Sequence, residues 1–478
     1  MIDNQNDEQN SFSVWWEEPV EQDSANPMNW TSRRKWSIIG SVSLVTFLTP
    51  LASSMFAPGV PQVMVDFHND STLLATFVVS VFILGYTFGP LVVAPLSEWA
   101  GRSPIYHVCN VLFVVFSIVC AVAPNMNTLI AFRFFAGFVG VAPITIGSGT
   151  IADIMPREKR GAAMAIWSLG PLLGPVIGPV VGGFIVEDKG WRWVFWVLVI
   201  VSGASTLLCF LVLRETYAPI ILEKKAAHLR KETGNDAYQS RLKPNIPAGE
   251  MFRLSILRPT KMLLFSPIVT LLSLYVAVLY GLLYILFTTF TFVYEDQYRF
   301  SSSMVGLAYL GSGAGMLLGL FFVGRLSDQR IKKIMQSGHP VKPEDRIPFF
   351  FSIPGSLCVP VGLFLYGWGA DKHLHWIVPE IGNAFTGFGM IIILMCINTY
   401  LVDAFTAHAA SAIAANTVLR SLLGALVPLG GLNMYDSLGL GWGNSLLGFI
   451  ALGMASIPLL FRVYGERIRT NPRWQREW

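Results

Sequence analysis

The chain has 478 residues, of which 53% are hydrophobic and only 13% charged, with a mean hydropathy of +0.53. Soluble domains carry roughly 25% charged residues, so the composition excludes a soluble protein and describes a polytopic membrane protein. The net charge of +4 needs no nucleic-acid partner, since the positive-inside rule accounts for it.

In chain order, residues 1–35 are polar and mostly acidic until Arg33, Arg34 and Lys35, which reads as a cytosolic tail and not a cleavable signal peptide. Apolar runs of about 20 residues, enough to cross a bilayer, begin near Trp36, Leu73, Pro104, Asn127, Ala162 and Trp193. After a polar stretch they resume near Met262, Met304, Ile347, Leu374, Ser411 and Gly441. The expected fold is therefore an all-α polytopic membrane protein with twelve transmembrane helices in two pseudo-symmetric six-helix bundles. Its parts are an N-terminal tail (1–35), a first bundle (36–213), a central cytosolic loop (214–261), a second bundle (262–464) and a C-terminal tail (465–478). With the N-terminus inside, 28 of the 34 Lys and Arg fall on the inner side, which predicts both termini in the cytosol. The basic run Lys224–Lys231 reads either as a short helix on the anionic inner leaflet or as a solvated loop. Cys109, Cys120, Cys209, Cys358 and Cys396 are odd in number and widely spaced, so neither a disulfide framework nor a metal site is expected.

Span 5 holds the most distinctive stretch, GPLLGPVIGPVVGG. Gly170, Gly174, Gly178 and Gly182 recur every fourth residue, each of the first three followed by a proline (Pro171, Pro175, Pro179). In water each Gly costs a helix about 1 kcal/mol and each interior Pro about 3. In a bilayer an apolar span stays helical because no water can satisfy bare backbone. A four-residue step drifts only about 40° round the helix, so the glycines form one groove against which a second helix can pack closely. Span 8 repeats the pattern with Gly311, Gly315 and Gly319, and it runs antiparallel to span 5. We expect the two stripes to meet as a seam between the halves, with Gly174–Gly182 facing Gly311–Gly319.

The halves read as repeats. APLSE (Ala94–Glu98) after span 2 matches GRLSD (Gly324–Asp328) after span 8, and IAD ending span 4 at Asp153 matches LVD ending span 10 at Asp403. Duplicated transporter units place their substrate site at the repeat interface near the bilayer midplane.

Several motifs carry a family likeness: PLSEWAGRSP at Pro95, RFFAGFVGVAP at Arg133, the Gly/Pro stretch of span 5, NPMNW at Asn26, WRWVFW at Trp191, RETYAPIILEKKAAHLRKETG at Arg214, PEDRIP at Pro343, and Tyr400–Arg420. Over nearly its whole length the sequence resembles the major facilitator superfamily, and within it the twelve-span drug:proton antiporters of fungi. It departs at Ala94, Glu98 and Ser103, which stand where the first signature usually has Gly, Asp and often a base. The resemblance implies a cytosolic latch of Glu98, Arg102 and Asp153 that breaks when the inside opens, and spans 5 and 8 lying side by side. Topology anchoring by Arg102 alone is the plainer reading.

Arg133 lies about two turns inside the outer end of span 4. Its reading is either snorkelling to outer headgroups or, as the resemblance implies, proton coupling. Arg420, in the middle of span 11, should have an acid or carbonyl partner, and Glu380 in span 10 is the nearest candidate by order of spans. Glu380 departs from the family pattern and reads as a proton-carrying, substrate-specific or merely interfacial acid. Tyr275, Tyr280 and Tyr284 of span 7 and Asn398 of span 10 are candidate cavity residues, with core or interfacial packing as the alternative. Asn69 opens a glycosylation sequon in the first outer loop.

Three classes of function remain at this point. They are proton-driven export of hydrophobic small molecules, proton-linked uptake on the same fold, and a membrane enzyme. The seven histidines form no pair within a span and no phosphate-binding Gly-Lys loop is present, so neither an enzyme nor ATP as the energy source is expected. The expected working set is a hydrophobic small molecule, the bilayer and a proton gradient, with no cofactor and a monomeric plasma-membrane protein.

Overall fold

A computed structural model describes residues 12–242, 247–337 and 342–471. Its first six spans are Ser32–Asp66, Thr72–Trp99, Arg102–Ala121, Met126–Ile154, Arg157–Lys189 and Trp191–Val212. The next four are Pro267–Tyr298, Ser302–Gln336, Phe349–Asp371 and Ile377–Ala404. The last continuous stretch, Ala409–Thr470, is far too long for one crossing and contains two. It reverses at Gly439, whose φ of 75° only a residue without a Cβ adopts readily. Beyond the reversal Asn444 lies within 3.0 Å of the Tyr435 hydroxyl, nine residues back along the chain. The described residues thus make twelve spans, so span 1 starts and span 12 ends on the same side, here called the terminal face.

Packing repeats with a shift of six spans. Span 1 packs on 5 as 7 packs on 11, span 2 on 4 as 8 on 10, and span 3 on 6 as 9 on 12. Between the halves, span 5 packs on 8 as 11 packs on 2. Two six-helix bundles related by this exchange are what the short motif repeats predict.

Span 5 is one unbroken helix of 33 residues despite Pro171, Pro175 and Pro179 inside it. Its glycine stripe does not face span 8. Gly170, Gly174, Gly178 and Gly182 lie against Phe47, Leu51 and Met55 of span 1, and a Cβ at Gly178 would stand 2.6 Å from Leu51 O. Gly311, Gly315 and Gly319 lie instead against Glu380, Ala384 and Phe388 of span 10. Spans 5 and 8 do adjoin, but through other faces: Val176 on Gly313, Pro179 on Gly306 and Gly183 on Ser302. The expected seam of facing stripes is therefore corrected. A glycine groove calls for a close neighbour without specifying which, and here each is filled within its own bundle.

Flanking segments are ordered as well. The central basic run lies in a helix, Ala218–Thr233, with Leu222 and Ala226 fully buried. Residues 13–14 pair in parallel with 239–240, and Lys225 Nζ meets Glu17 Oε1 at 2.8 Å, so the N-terminal segment clasps this helix. Residues 1–11 and 472–478 of the two expected tails lie outside the described residues, as does the side chain of Asp328, the repeat counterpart of Glu98.

Candidate functional site: a central cavity and the charges around it

Between the bundles lies a cavity with about 700 Å³ of empty volume, counting the part open to solvent. Span 5 contributes Ser168, Pro171, Leu172 and Pro175, and span 7 contributes Tyr280, Leu283, Tyr284 and Phe287. Met316 of span 8, Met390, Ile391, Leu394 and Met395 of span 10, and Arg420 of span 11 complete it. The prolines that follow Gly170 and Gly174 thus face the cavity while the glycines seat the helix on span 1. Three methionines give the wall unbranched, polarisable side chains that adapt to irregular ligands. No spacing in the sequence singles them out.

Of the tyrosines expected here, Tyr280 and Tyr284 line the cavity with ring centroids 5.1 Å apart. Tyr275 does not: it is fully buried in the second bundle, its hydroxyl 3.2 Å from Ser356 Oγ. Asn398 is not a wall residue either, because its side-chain oxygen accepts from Asn416 Nδ2 at 2.8 Å. Helical spacing gives the face of a helix, but whether that face meets a cavity or a neighbour depends on packing.

The expected pairing of Arg420 with Glu380 is also corrected. Glu380 sits in the first turn of span 10, at the end away from the terminal face, and Arg420 lies mid-span in the cavity. The Glu380 carboxylate accepts from the Tyr294 hydroxyl beside Asn383, and it borders an apolar groove with Phe300, Met304, Leu307 and Trp376. Arg420 stacks over the Tyr280 ring at 4.8 Å, and its Nε is buried without a hydrogen-bond partner.

Arg133 is only 1% exposed, so it does not snorkel. Its Nε donates to Val78 O at 2.6 Å and its Nη2 to Ser53 O at 3.0 Å, with the rings of Phe56, Phe82 and Phe195 around the guanidinium. Hydrogen bonds to a charged group contribute roughly 1.5–3 kcal/mol each, enough together to offset the about 2.5–3.5 kcal/mol of placing an Arg mid-membrane on insertion scales. Ser53 O is available because the span 1 helix ends at Ser54, leaving its last carbonyls without intrahelical donors. Span 1 resumes as a short 3₁₀ turn at Ala57–Gly59, whose Ala57 O accepts from Thr291 Oγ1 of span 7 at 3.2 Å. The break in span 1 therefore joins Arg133 to the second bundle, a link that the Pro50 and Pro58 flanking it only hint at.

At the terminal face Arg102 Nε meets Asp153 Oδ2 at 3.2 Å and Nη1 donates to Ser97 Oγ at 3.0 Å. Glu98 takes no part: it is exposed and has no ion pair among the described residues. Its expected place is taken by Glu215, from the RETYAP segment after span 6. The Glu215 carboxylate accepts from the backbone N–H of Arg102 at 2.9 Å and of Ser103 at 3.3 Å, which caps span 3 at its positive end. Thr216 Oγ1 donates to Asp153, and Tyr217 lies under the Arg102 guanidinium at 4.8 Å. Burial pushes the Tyr217 phenol above its ordinary value, with Glu98 adding to the rise and Arg102 opposing it.

The second bundle repeats this device. Arg346, just before span 9, pairs with Asp403 at the end of span 10 at 2.6 Å, as Arg102 pairs with Asp153. The last helix, Ser456–Thr470, which continues span 12 to the terminal face, clamps the PEDR turn through Arg462–Asp345 at 3.0 Å and Arg469–Glu344 at 3.4 Å. The matching IAD and LVD motifs marked the two aspartates, whereas Arg346 and Glu215 are visible only as parts of longer motifs.

On the far face the halves are tied together. Thr72 Oγ1 donates to Asn433 Oδ1 at 2.9 Å, and the Glu187 carboxylate accepts from Ser303 N at 2.9 Å at the start of span 8. Asn69, in the loop before span 2, accepts from Ser71 N at 2.9 Å in a tight turn.

A twelve-span duplicated fold with this cavity matches a family model described as Major Facilitator Superfamily over residues 42–428. The chain belongs to the major facilitator superfamily. It is 56% identical to "MFS-type transporter penM" of Penicillium rubens over 97% of this chain and 90% of that protein. It is 51% identical to "Efflux pump radE" of Floropilus chiversii over 99% of this chain and 88% of the relative. Among solved structures it is similar in fold to the xylose transporter XylE of E. coli in its inward-open conformation, with TM-score 0.64, 16% identity, and 88% and 95% of the two chains covered. A bacterial homologue of the human lysosomal transporter Spinster, in an inward-facing and occupied conformation, gives TM-score 0.63 at 14% identity over 93% of this chain and all of the other. The relatives are named as transporters and pumps, so this multi-pass membrane protein is a transporter and not an enzyme.

Proposed function

We propose that this transporter exports hydrophobic small molecules from the cytosol in exchange for protons, by alternating access, at the plasma membrane. The observation that carries the reading is the cavity: a mostly apolar space between the bundles, partly open to solvent, with the far face bridged by hydrogen bonds between the halves. A concave, mostly apolar lining with a few convergent polar groups is the usual form of a small-molecule site. The excess of Lys and Arg on the terminal face supports a cytosolic setting for it, so the cavity would load from the inside. The efflux-pump name of a relative sharing half its residues agrees with that direction.

Glu380 is the proposed proton carrier, since a carboxyl half-buried beside Tyr294 can bind and release a proton whereas an arginine cannot. Arg133 would transmit coupling mechanically, by holding the break in span 1 against spans 2 and 4. Inverted vesicles from a host without its own drug pumps test the reading. With an acid interior, vesicles containing the protein should accumulate an apolar fluorescent compound and lose it on adding a protonophore. Accumulation by intact cells under external acid, with none by inverted vesicles, would assign uptake instead.

A further inference from the structure

Among the described residues lining the central cavity, Arg420 alone carries a formal charge. Its guanidinium stays protonated in any protein setting, so the charge must be stabilised where it stands. Arg133 shows how this chain stabilises such a charge when nothing else is to bind: two carbonyl oxygens and three aromatic faces surround it. Arg420 has much less. No carboxylate lies within ion-pair distance among the described residues, its Nε is buried with no acceptor, and its support is the face of Tyr280 at 4.8 Å. A cation–π contact contributes roughly 0.5–2 kcal/mol, whereas the effective penalty for desolvating an ion is several kcal/mol. One turn away, Asn416 Oδ1 is likewise buried without a partner, while its Nδ2 is spent on Asn398.

We infer that the cavity is built for an amphipathic organic anion, with a carboxylate on the cargo seated against the Arg420 guanidinium and an aromatic or alkyl body against the apolar wall. A planar fork of N–H donors matches a carboxylate in a bidentate geometry that a lone ammonium cannot offer. Tyr280 lies against the guanidinium and Tyr284 packs beside it along the wall, offering aromatic surface for the body, and Met316, Met390 and Met395 supply the adaptable remainder. Among the described residues that line the cavity there is no acidic group to favour a cationic cargo. Selection among apolar molecules then comes from one charge, which is decisive because it lies in low dielectric. This inference rests on the cavity being the cargo site of the export reading, and it specifies the chemistry of that cargo.

The test is binding, which depends on neither transport direction nor protons. Purified full-length protein in phosphatidylcholine nanodiscs is titrated at pH 7.5 with 1-pyrenebutyric acid, its methyl ester and 1-pyrenebutylamine, with empty discs subtracted. Wild type should bind the carboxylate at least tenfold more tightly than the ester or the amine. Arg420→Gln should erase that preference while leaving ester binding within twofold, and Arg420→Lys should keep part of it. Equal binding of the three probes, tighter binding of the amine, no saturable carboxylate binding, or an unchanged preference in Arg420→Gln would each overturn the inference. Loss of carboxylate binding on adding phosphatidylglycerol to the discs would assign the anion to a lipid headgroup and overturn the cargo assignment. Tight carboxylate binding without export in vesicles would leave this inference standing and sink the export reading, and export of all three probes at equal rates would do the reverse.

Discussion

At the residue scale, three arginines have different settings because their partners differ. Arg102 meets a carboxylate, Arg133 meets backbone carbonyls, and Arg420 faces a cavity. For Arg133 we expect Arg133→Ala to lower transport at least tenfold at near wild-type membrane abundance. Arg133→Lys should fail as well, because one ammonium cannot hold Val78 O and Ser53 O in a fixed fork. Efflux per copy of protein, quantified against membrane immunoblots, is the check, and normal efflux in Arg133→Ala would remove its coupling role. At the terminal face the carboxylates part company. Arg102→Ala and Glu215→Gln should both raise labelling of a cysteine introduced at Ser168, in a background without native cysteines, by severalfold. Glu98→Gln should leave labelling unchanged, since the exposed Glu98 side chain pairs with nothing described. Labelling that rises with Glu98→Gln alone would restore the motif's acid to the latch.

At the scale of elements, the glycine stripes define which contacts are fixed and which can slide. Span 5 is keyed backbone to backbone on span 1, and span 8 on span 10, both within their own bundles. The contact between spans 5 and 8 has side-chain atoms of Val176 over Gly313 and closer backbone approach only towards the far end. A surface that shifts in alternating access is better served by the second kind, because deep interdigitation has few alternative registers. Val176→Cys with Gly313→Cys should therefore form a disulfide readily, and Gly178→Cys with Gly315→Cys should not. Gly178→Leu should push span 1 off span 5 at a cost of about 1–3 kcal/mol, the usual range for overpacking. It should appear as a lower thermal midpoint of the purified protein. An efficient Gly178–Gly315 crosslink would return the stripes to the interface between the halves.

At the scale of the molecule, the bundles are joined at the far face by Thr72–Asn433, Ala57–Thr291 and Glu187–Ser303, all at the same end of the cavity. We expect the cavity to open towards the terminal face. Met390→Cys should react with a membrane-impermeant maleimide added to the terminal face at least fivefold faster than with the same reagent on the far face. Thr72→Val with Glu187→Ala removes the hydroxyl donor of one tie and the carboxylate acceptor of another, and should reduce that ratio by favouring the alternate state. A ratio near one in otherwise wild-type protein would show that the far face is not closed.

Much of this was legible in the sequence, because membrane insertion is decided by local composition. The twelve spans, the sixfold shift of the repeat and the persistence of a helix through Pro171, Pro175 and Pro179 follow from hydropathy and from the need of backbone groups in lipid to bond internally. The aspartates ending spans 4 and 10 could be matched by motif, and both proved to receive an arginine from the start of the preceding helix pair. What the sequence leaves open is which neighbour a helix face meets. Packing in lipid is driven by close fit and not by burial from water, so a glycine groove suits span 1 as well as span 8. Tyr275 and Tyr280 are told apart only once the helices are placed. The same holds for the charges: Glu98 was the motif's acid, yet Glu215, more than a hundred residues downstream, reaches the N–H groups that start span 3. Arg420 announced a charge in the membrane, but only the assembled bundles separated it from Glu380, set it over the Tyr280 ring and left its Nε without an acceptor among the described residues. Composition sets which segments cross; depth, facing and partnership are set by tertiary contact, because they depend on the distances between helices and not on the order of residues within one.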